Sequence, residues 1–323
     1  MEKDIALLRT HDLSIGYENK PLLQGLNLCL NPGTLICFMG PNGIGKSTLI
    51  RTLAGLQKPI SGKVSVAASS QYPAPVAVVL TDRIAAIYMT VAELVAFGRY
   101  PYLNWGIQLA ERDKVIIRRS LAQVNMMSLS DKRLHELSDG QLQLAMIARA
   151  LAQDTAIVLL DEPTAHLDLN NRLEIMNLLR RLAHETNKAI VVATHELDLT
   201  LQTADEIWLA GRDQRMLSGI PEDLILNGSF DTIFELKGFD LRTGQVQHHI
   251  SRPDSISLIG DGYEYRWTRN ALERSGYQIT PDAKWVINVL RKADNKLYWS
   301  FNDGATFESL HDLLRHLNHG IGA

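Results

Sequence analysis

The chain has 323 residues, 46% of them apolar, which is ordinary for a globular protein and long enough for about two domains. Thirty-three basic residues against 36 acidic ones leave a net charge of −3, so the basic footprint of a nucleic-acid binder is missing. No run of about 18 uncharged apolar residues occurs, so no segment reads as a membrane span. The stretch from Leu142 to Leu160 comes nearest and is interrupted by Arg149, Gln153 and Asp154. Met1-Glu2-Lys3-Asp4 lacks the apolar core of a signal peptide, and none is expected. The two cysteines, Cys29 and Cys37, lie in apolar runs and read as small core residues, not as a disulfide.

Residues 5 to about 30 alternate short apolar runs with turns and read as N-terminal strands. Leu35-Ile36-Cys37-Phe38-Met39 reads as a buried strand, and a helical pattern runs from Lys46 to a stop at Gly55. Between them stands Gly40-Pro41-Asn42-Gly43-Ile44-Gly45-Lys46-Ser47-Thr48, a G-x-x-x-x-G-K-S motif. Strand, glycine loop and helix form the context of a phosphate-binding loop. The glycines let backbone N–H groups face a phosphate chain, and the helix N-terminus adds a positive dipole end. Lys46 then reaches the β- and γ-phosphates, and the Ser47 hydroxyl can ligate Mg²⁺. A chance glycine-rich turn is the alternative, and the complete motif between the right flanks argues against it.

Residues 76–80 read as the next strand. Thr90-Val91-Ala92-Glu93 is a capping box. It opens a stretch, 91–135, that reads as mostly helical, within a helical insertion reaching to 140. Leu137-Ser138-Asp139-Gly140-Gln141 has capping-box spacing at Ser138 and Gln141 and precedes a helix with Leu144, Ile147, Ala148 and Leu151 on one face. By local physics alone this is an ordinary capped helix.

Ile157-Val158-Leu159-Leu160-Asp161-Glu162 is an apolar strand ending in two carboxylates. Behind a P-loop, Asp161 can hold Mg²⁺ through water and Glu162 can polarise the attacking water as general base. Two surface acids ending a strand are the plainer alternative. Residues 172–186 are amphipathic, with Ile175, Leu178, Leu179 and Leu182 on one face. Residues 189–193 and 207–209 read as further strands. Strands alternating with helices imply an α/β core with a largely parallel sheet.

Residues 241–254 read as a polar linker dividing a domain at 1–240 from a small α+β domain at 255–323. The tail reads β-α-β-β-α: a strand at 255–259, a helix at 267–275 closed by Gly276, strands at 285–290 and 296–301, and a C-terminal helix with Phe307, Leu310, Leu313, Leu314 and Leu317 on its apolar face. Trp267, Trp285 and Trp299 are its candidate core aromatics. Gly260-Asp261-Gly262 fails as a dinucleotide fingerprint because Tyr265 stands where a third glycine belongs, and reads as a tight turn. His248, His249, His311, His316 and His319 follow residue 240. On a helix, His311, His316 and His319 share no face, and solvated histidines are expected here instead of a metal site.

The P-loop, Leu137-Ser138-Asp139-Gly140-Gln141 and Leu159-Leu160-Asp161-Glu162-Pro163-Thr164 together resemble the ATP-binding cassette family over about residues 5–240, in the family's order. The family's signature is usually L-S-G-G-Q, and Asp139 is a departure. The resemblance implies an α/β P-loop ATPase core with a mainly parallel sheet, N-terminal antiparallel strands and a helical subdomain at about 85–150. It also implies a head-to-tail dimer in which the signature residues Ser138, Asp139, Gly140 and Gln141 cap the γ-phosphate held by the other copy. Asp168, in Ala165-His166-Leu167-Asp168, stands in the family's dimer-contact loop. His195 follows the next strand, 33 residues after Glu162, and is similar to the switch histidine that contacts the γ-phosphate. Tyr17 is similar to the aromatic that stacks on adenine, with a strand-end surface tyrosine as the alternative. Thr81 stands where the family places a glutamine that contacts Mg²⁺ and water, and threonine is too short to copy that reach. Gln71, the nearest glutamine, precedes the strand.

Met89-Thr90-Val91-Ala92-Glu93-Leu94-Val95-Ala96-Phe97-Gly98-Arg99-Tyr100-Pro101 resembles the branch that imports iron-siderophores, haem and cobalamin. The resemblance thus implies an ATPase using ATP and Mg²⁺. Its place would be the cytoplasmic face of the membrane, docked to separate permease subunits and served indirectly by a periplasmic or surface substrate-binding protein. Nucleic acid is not an expected partner. Soluble cassette ATPases of DNA repair or translation are a rival class. The first carry a long coiled coil between P-loop and signature, and the second carry two cassettes in one chain. A slow ATP-binding switch is a third reading, supported by Thr81 alone.

Overall fold

The computed structural model describes residues 6–18, 20–67, 76–80, 88–103, 108–234, 239–240, 245–246, 252–291, 296–302 and 304–320. Thr81, Gln71, His248 and His249 lie outside them. The chain divides into two compact units, Met1–Glu235 and Leu236–Ala323.

The first unit begins with three strands, β1 (Leu8–Tyr17), β2 (Lys20–Leu26) and β3 (Cys29–Leu30). Next come β4 (Leu35–Met39), helix α1 (Lys46–Leu53), β5 (Ser61–Val66) and β6 (Val76–Val79). The helical region holds α2 (Val91–Ala96), α3 (Glu111–Gln123) and α4 (Asp139–Ala152). The chain returns through β7 (Ile157–Asp161), α5 (Leu169–Thr186), β8 (Ala189–Ala193), α6 (Leu197–Thr203) and β9 (Glu206–Ala210). It closes with β10 (Met216–Gly219), α7 (Pro221–Leu226) and α8 (Ser229–Phe234).

A six-stranded sheet in the order β10-β9-β4-β8-β7-β6 forms the centre. All its pairs are parallel except β10 with β9 at one edge. Every residue of β4, β7 and β8 is buried. That is why these strands read as continuous apolar runs: a parallel sheet is covered on both faces. β2, β1, β3 and β5 form a separate antiparallel sheet around β1. Its inward residues Leu8, Leu13, Ile15 and Leu23 join Leu49, Ile50 and Leu53 of α1 over one face of the central sheet, against Ile36, Phe38, Leu159 and Val191. Helices α5 and α6 pack on β4 and β8.

The stretch 91–135 is less regular than one helical insertion. Two helices, α2 and α3, are separated by a 3-10 segment, Phe97–Tyr102, containing Pro101. Further 3-10 turns occupy Met127–Leu129 and Leu134–Glu136. Proline removes a backbone donor and disfavours helical geometry before it, so the 3.6-residue ladder cannot run through residue 101. The predicted capping boxes form: the Thr90 hydroxyl accepts from Glu93 N at 3.2 Å while Glu93 Oε2 accepts from Thr90 N at 2.7 Å. The same exchange joins Ser138 and Gln141 at 3.3 and 3.2 Å.

Arg99 holds this region together from inside, being 2% exposed. Its Nε donates to Asp113 Oδ1 at 2.8 Å, and its Nη1 donates to Ala152 O at 2.9 Å at the end of α4. The guanidinium carbon lies 3.7 Å from the centre of the Tyr102 ring, and the Tyr102 hydroxyl donates to Gln153 O at 2.6 Å. Gly98 is obligatory beside it, because a Cβ there would fall 2.3 Å from Arg149 O.

The second unit has β11 (Phe239–Asp240), β12 (Gln245–Val246), β13 (Ser255–Ile259), α9 (Gly262–Arg274) and β14 (Gln278–Ile279). β15 (Trp285–Arg291), β16 (Leu297–Phe301), β17 (Ala305–Phe307) and α10 (Leu310–Gly320) follow. A mixed sheet runs β14-β13-β15-β16-β17. Its core joins Ile256, Leu272, Tyr277, Ile287, Trp299, Phe301, Leu313 and Leu317. Three expectations fail here. Phe307 ends β17 and is not on the face of the C-terminal helix, which starts at Leu310. Helix α9 starts at Gly262, five residues before the predicted start, because its first turn is polar and shows no apolar stripe. Trp267 is 68% exposed and is no part of the core. Instead Thr268, two turns before the helix end, is fully buried and accepts a hydrogen bond from Trp299 Nε1 at 2.8 Å.

Candidate nucleotide-binding site

Sheet order assembles the site. β4, β7 and β8 are separated in sequence but adjacent and parallel in space, in the order 4-8-7. Phe38 pairs with Ala193, and Ala193 pairs with Asp161, so three loops leave the sheet at one edge. They carry the 40–48 loop, Asp161-Glu162 and Thr194-His195. The carboxyl ends of parallel strands are where α/β folds gather ligand-binding residues.

The glycine loop is built by close approach. A Cβ on Gly40 would lie 2.8 Å from Ala210 O on β9. Gly45 stands at the N-cap of α1 with φ 109°, a left-handed conformation that side chains resist, and a Cβ there would press on Leu22 at 3.2 Å. Lys46 is buried and lies across the loop, its Nζ donating to Gly40 O at 3.1 Å, with Pro41 O at 3.5 Å. Burial pushes its ammonium below the ordinary lysine value, opposed by the nearby charges of Glu162 and Asp161. Thr48, in the same turn, donates to the Tyr17 hydroxyl at 3.2 Å, which tethers this 55%-exposed ring beside the loop.

Asp161 is 3% exposed. Burial pushes its carboxyl above the ordinary aspartate range; a hydrogen bond from Ser47 opposes the shift, Glu162 adds to it, and Arg51 and Lys46 oppose it. A buried acid and a hydroxyl side by side are two hard oxygen donors, a set that suits a small divalent cation. Glu162 adopts φ 48°, unusual for a residue with a side chain, and its N–H donates to Ala193 O at 2.9 Å. This turn aims the carboxylate out of the sheet edge. Its Oε1 lies 3.5 Å from His195 Nδ1, and His195 Nε2 lies 3.6 Å from Glu196 Oε1. The imidazole is 53% exposed and lies between two acids.

The other candidate residues form a second group. Ser138, Asp139, Gly140 and Gln141 open α4, and a Cβ on Gly140 would lie 3.0 Å from the Asn171 side chain. Asn171 in turn donates from N and Nδ2 to Asp168, both at 2.9 Å. Asp168 is thus the N-cap of α5 and a neighbour of the signature turn. Sequence reading passed over Arg172 and Glu196, which join at 2.7 Å beside His195. Nothing local marks them, since an exposed-looking arginine and glutamate 24 residues apart carry no motif.

Among the described residues no helix is long and apolar enough to cross a membrane, and no group of three or more His, Cys, Asp or Glu side chains gathers as a metal site would.

Residues 23–165 match the family described as ABC transporter, and residues 253–318 match the iron ABC transporter C-terminal domain. An uncharacterised ABC transporter ATP-binding protein of Methanocaldococcus jannaschii is 41% identical over 238 residues, covering 72% of this chain and 82% of that protein. A siderophore transport system ATP-binding protein of Bacillus subtilis is 35% identical over 72% of this chain and 87% of its own length. Among solved structures, a metal-chelate type ABC transporter in an inward-facing conformation matches with TM-score 0.65 at 30% identity, covering 72% of this chain and 89% of that one. With its glycine loop and paired acids at one edge of the sheet and the 138–141 turn at the start of α4, this chain belongs to the ATP-binding cassette family, as an ATPase subunit that binds ATP and works with membrane permease components.

Proposed function

We propose that the chain powers import of an iron chelate: two copies bind two ATP between them on the cytoplasmic face of a membrane, and hydrolysis resets the dimer beneath separate permease subunits. The observation that carries this reading is one chain holding both an ATPase site and a tail matching the iron ABC transporter C-terminal domain. The relatives named for siderophore transport point to the same cargo class. Haem and cobalamin stay open as cargoes within the wider metal-chelate class, since the ATPase does not touch the substrate. A substrate-binding protein would deliver the chelate to the permease from the other side.

Each residue takes a role that its surroundings allow. Gly40 and Pro41 shape the loop, the amides of Asn42, Gly43 and Gly45 and the Lys46 ammonium hold the phosphates, and Thr48 supports Tyr17 under the adenine. Glu162 orients the attacking water and takes its proton. His195 holds the γ-phosphate. Ser47 and Asp161 fit Mg²⁺, which when bound offsets the charge that develops on the phosphates. Ser138, Asp139, Gly140 and Gln141, with Asp168, would serve the ATP of the second copy. Their contacts within the chain run to Asn171, which leaves the turn's outer side for a partner.

The direct test is co-expression with a permease of the iron-chelate importer class from the same genome. The subunit is expected to co-purify with it, and vesicles containing both to take up a ferric siderophore only with ATP inside. Uptake of equal rate without ATP would reject the reading. A second outcome concerns Thr81: Thr81→Gln should keep or raise steady-state ATPase activity by restoring the longer Mg²⁺ and water ligand that the family resemblance implies. A collapse of ATP binding in that variant would show that the loop is built around a short side chain.

A further inference from the structure

Arg172 lies outside every motif, yet it touches both loops that frame His195. It sits in the first turn of α5, where its backbone N–H bonds Asp168 O at 3.0 Å. Its Nε donates to Leu167 O at 2.6 Å, and its Nη1 donates to Glu196 Oε1 at 2.7 Å. Leu167 belongs to the 165–168 loop and is 5% exposed, so its carbonyl is a fixed point. That loop is tight: His166 has φ 65°, Ala165 N bonds Glu162 O at 3.1 Å, and Leu167 N bonds Thr164 O at 3.3 Å.

The consequence concerns Glu196. Its side chain is 17% exposed and lies 3.6 Å from His195 Nε2, while Arg172 holds the same oxygen at 2.7 Å. A planar guanidinium with two donors in fixed geometry can bind a carbonyl and a carboxylate at once, and lysine cannot copy both. So a continuous path of contacts runs from Leu167 O through Arg172 and Glu196 to His195, and on to Glu162 at 3.5 Å.

We propose that Arg172 is a positioning residue for ATP hydrolysis: by clamping Glu196 to the 165–168 loop, it fixes the imidazole of His195 relative to the Glu162 carboxylate. The charge argument gives the direction. With Arg172 in place, the negative charge of Glu196 is shared with a guanidinium, and His195 keeps an orientation between two acids. Without it, Glu196 is a mostly buried carboxylate left beside the His195 ring, 3.6 Å away. It then draws the ring away from Glu162 and from the phosphate end of the site. Any movement of the 165–168 loop reaches His195 by the same path, which makes the loop a sensor of how that face of the chain is engaged.

This inference rests on the ATPase reading above. Its test is a set of full-length variants, each assayed for steady-state hydrolysis and for equilibrium binding of ATP. Arg172→Ala is expected to lower kcat about tenfold while the Kd for ATP stays within about threefold, since the Arg172 side chain bonds Leu167 O and Glu196, neither of which is placed on the nucleotide. Arg172→Lys should fall between. The deciding variant is Arg172→Ala with Glu196→Ala: removing the released carboxylate should recover several-fold of the lost kcat. A merely structural arginine would give no such rescue, because the second deletion could only add to the damage. Thermal unfolding of all variants accompanies the kinetics, and if Arg172→Ala does not fold, the comparison of Arg172→Lys with Arg172→Lys/Glu196→Ala replaces it. A kcat within twofold of wild type for Arg172→Ala, or a double variant no better than the single one, overturns the proposal. The wild-type chain and Glu162→Gln, measured in parallel, separate the two ideas: no hydrolysis by the wild-type chain fails the ATPase reading, and a dead Glu162→Gln beside a fully active Arg172→Ala fails only the role of Arg172.

Discussion

Glu162→Gln is expected to stop steady-state ATP hydrolysis and to leave ATP binding intact. The substitution keeps the size and shape of the side chain and removes its charge and its ability to accept a proton. A positioned general base contributes roughly 10²–10⁴ in rate, so turnover should fall by at least about a hundredfold. Binding should survive because the proposed phosphate contacts come from the 40–48 loop and Lys46, not from Glu162. Folding should survive as well. The left-handed backbone at Glu162 suits glutamine no worse than glutamate, and its N–H bond to Ala193 O involves no side chain. One further change follows from the charges: Glu162 is the first of the two acids that oppose the downward shift of Lys46, so its loss should lower the lysine's affinity for protons further. The variant should accumulate an ATP-bound form that runs as a dimer on size exclusion. Hydrolysis within a few-fold of the wild-type rate would remove Glu162 from the role.

Arg99→Ala is expected to cost about 3–5 kcal/mol of stability, the range for breaking a buried ion pair by removing one partner. Arg99 and Asp113 have side chains only 3% and 9% exposed and meet at 2.8 Å. Deleting the guanidinium leaves Asp113 inside without its counter-charge and Ala152 O without its donor, and it removes the cation stacked on Tyr102. Asp113 Oδ2 also accepts from Ala110 N at 2.9 Å at the start of α3, so the helix N-terminus loosens with it. A loss of this size is a large part of the roughly 5–15 kcal/mol that keeps a domain folded. Urea unfolding and native-state hydrogen exchange should place the loss in α2, α3 and α4. The second unit should be unaffected, since its core shares none of these residues. A change below about 1 kcal/mol would mean that the pair is matched by solvent-exposed alternatives.

Some of this architecture is legible because its cause is local. A buried parallel strand must be apolar at every position, so β4, β7 and β8 stand out within five residues each. A phosphate loop needs glycine where φ is positive and lysine where the helix begins, and those residues lie next to each other in the chain. The capping boxes at Thr90 and Ser138 are likewise satisfied within four residues. The start of α9 escaped because its exposed first turn has no apolar period to detect. Trp267 was misjudged for the same reason: aromatic character says that a residue can be buried, while the neighbouring chain decides whether it is. The remaining facts belong to the tertiary structure. The pairing order 4-8-7 brings Lys46, Asp161, Glu162 and His195 to one edge, although more than a hundred residues separate the first from the others. Arg99 gains its role only when α3 and the end of α4 close around it, and Arg172 only when the loops after β7 and β8 lie side by side. A charged residue reads as surface until folding removes its water. Its partners are then chosen by the geometry of distant segments, which no local pattern of residues contains.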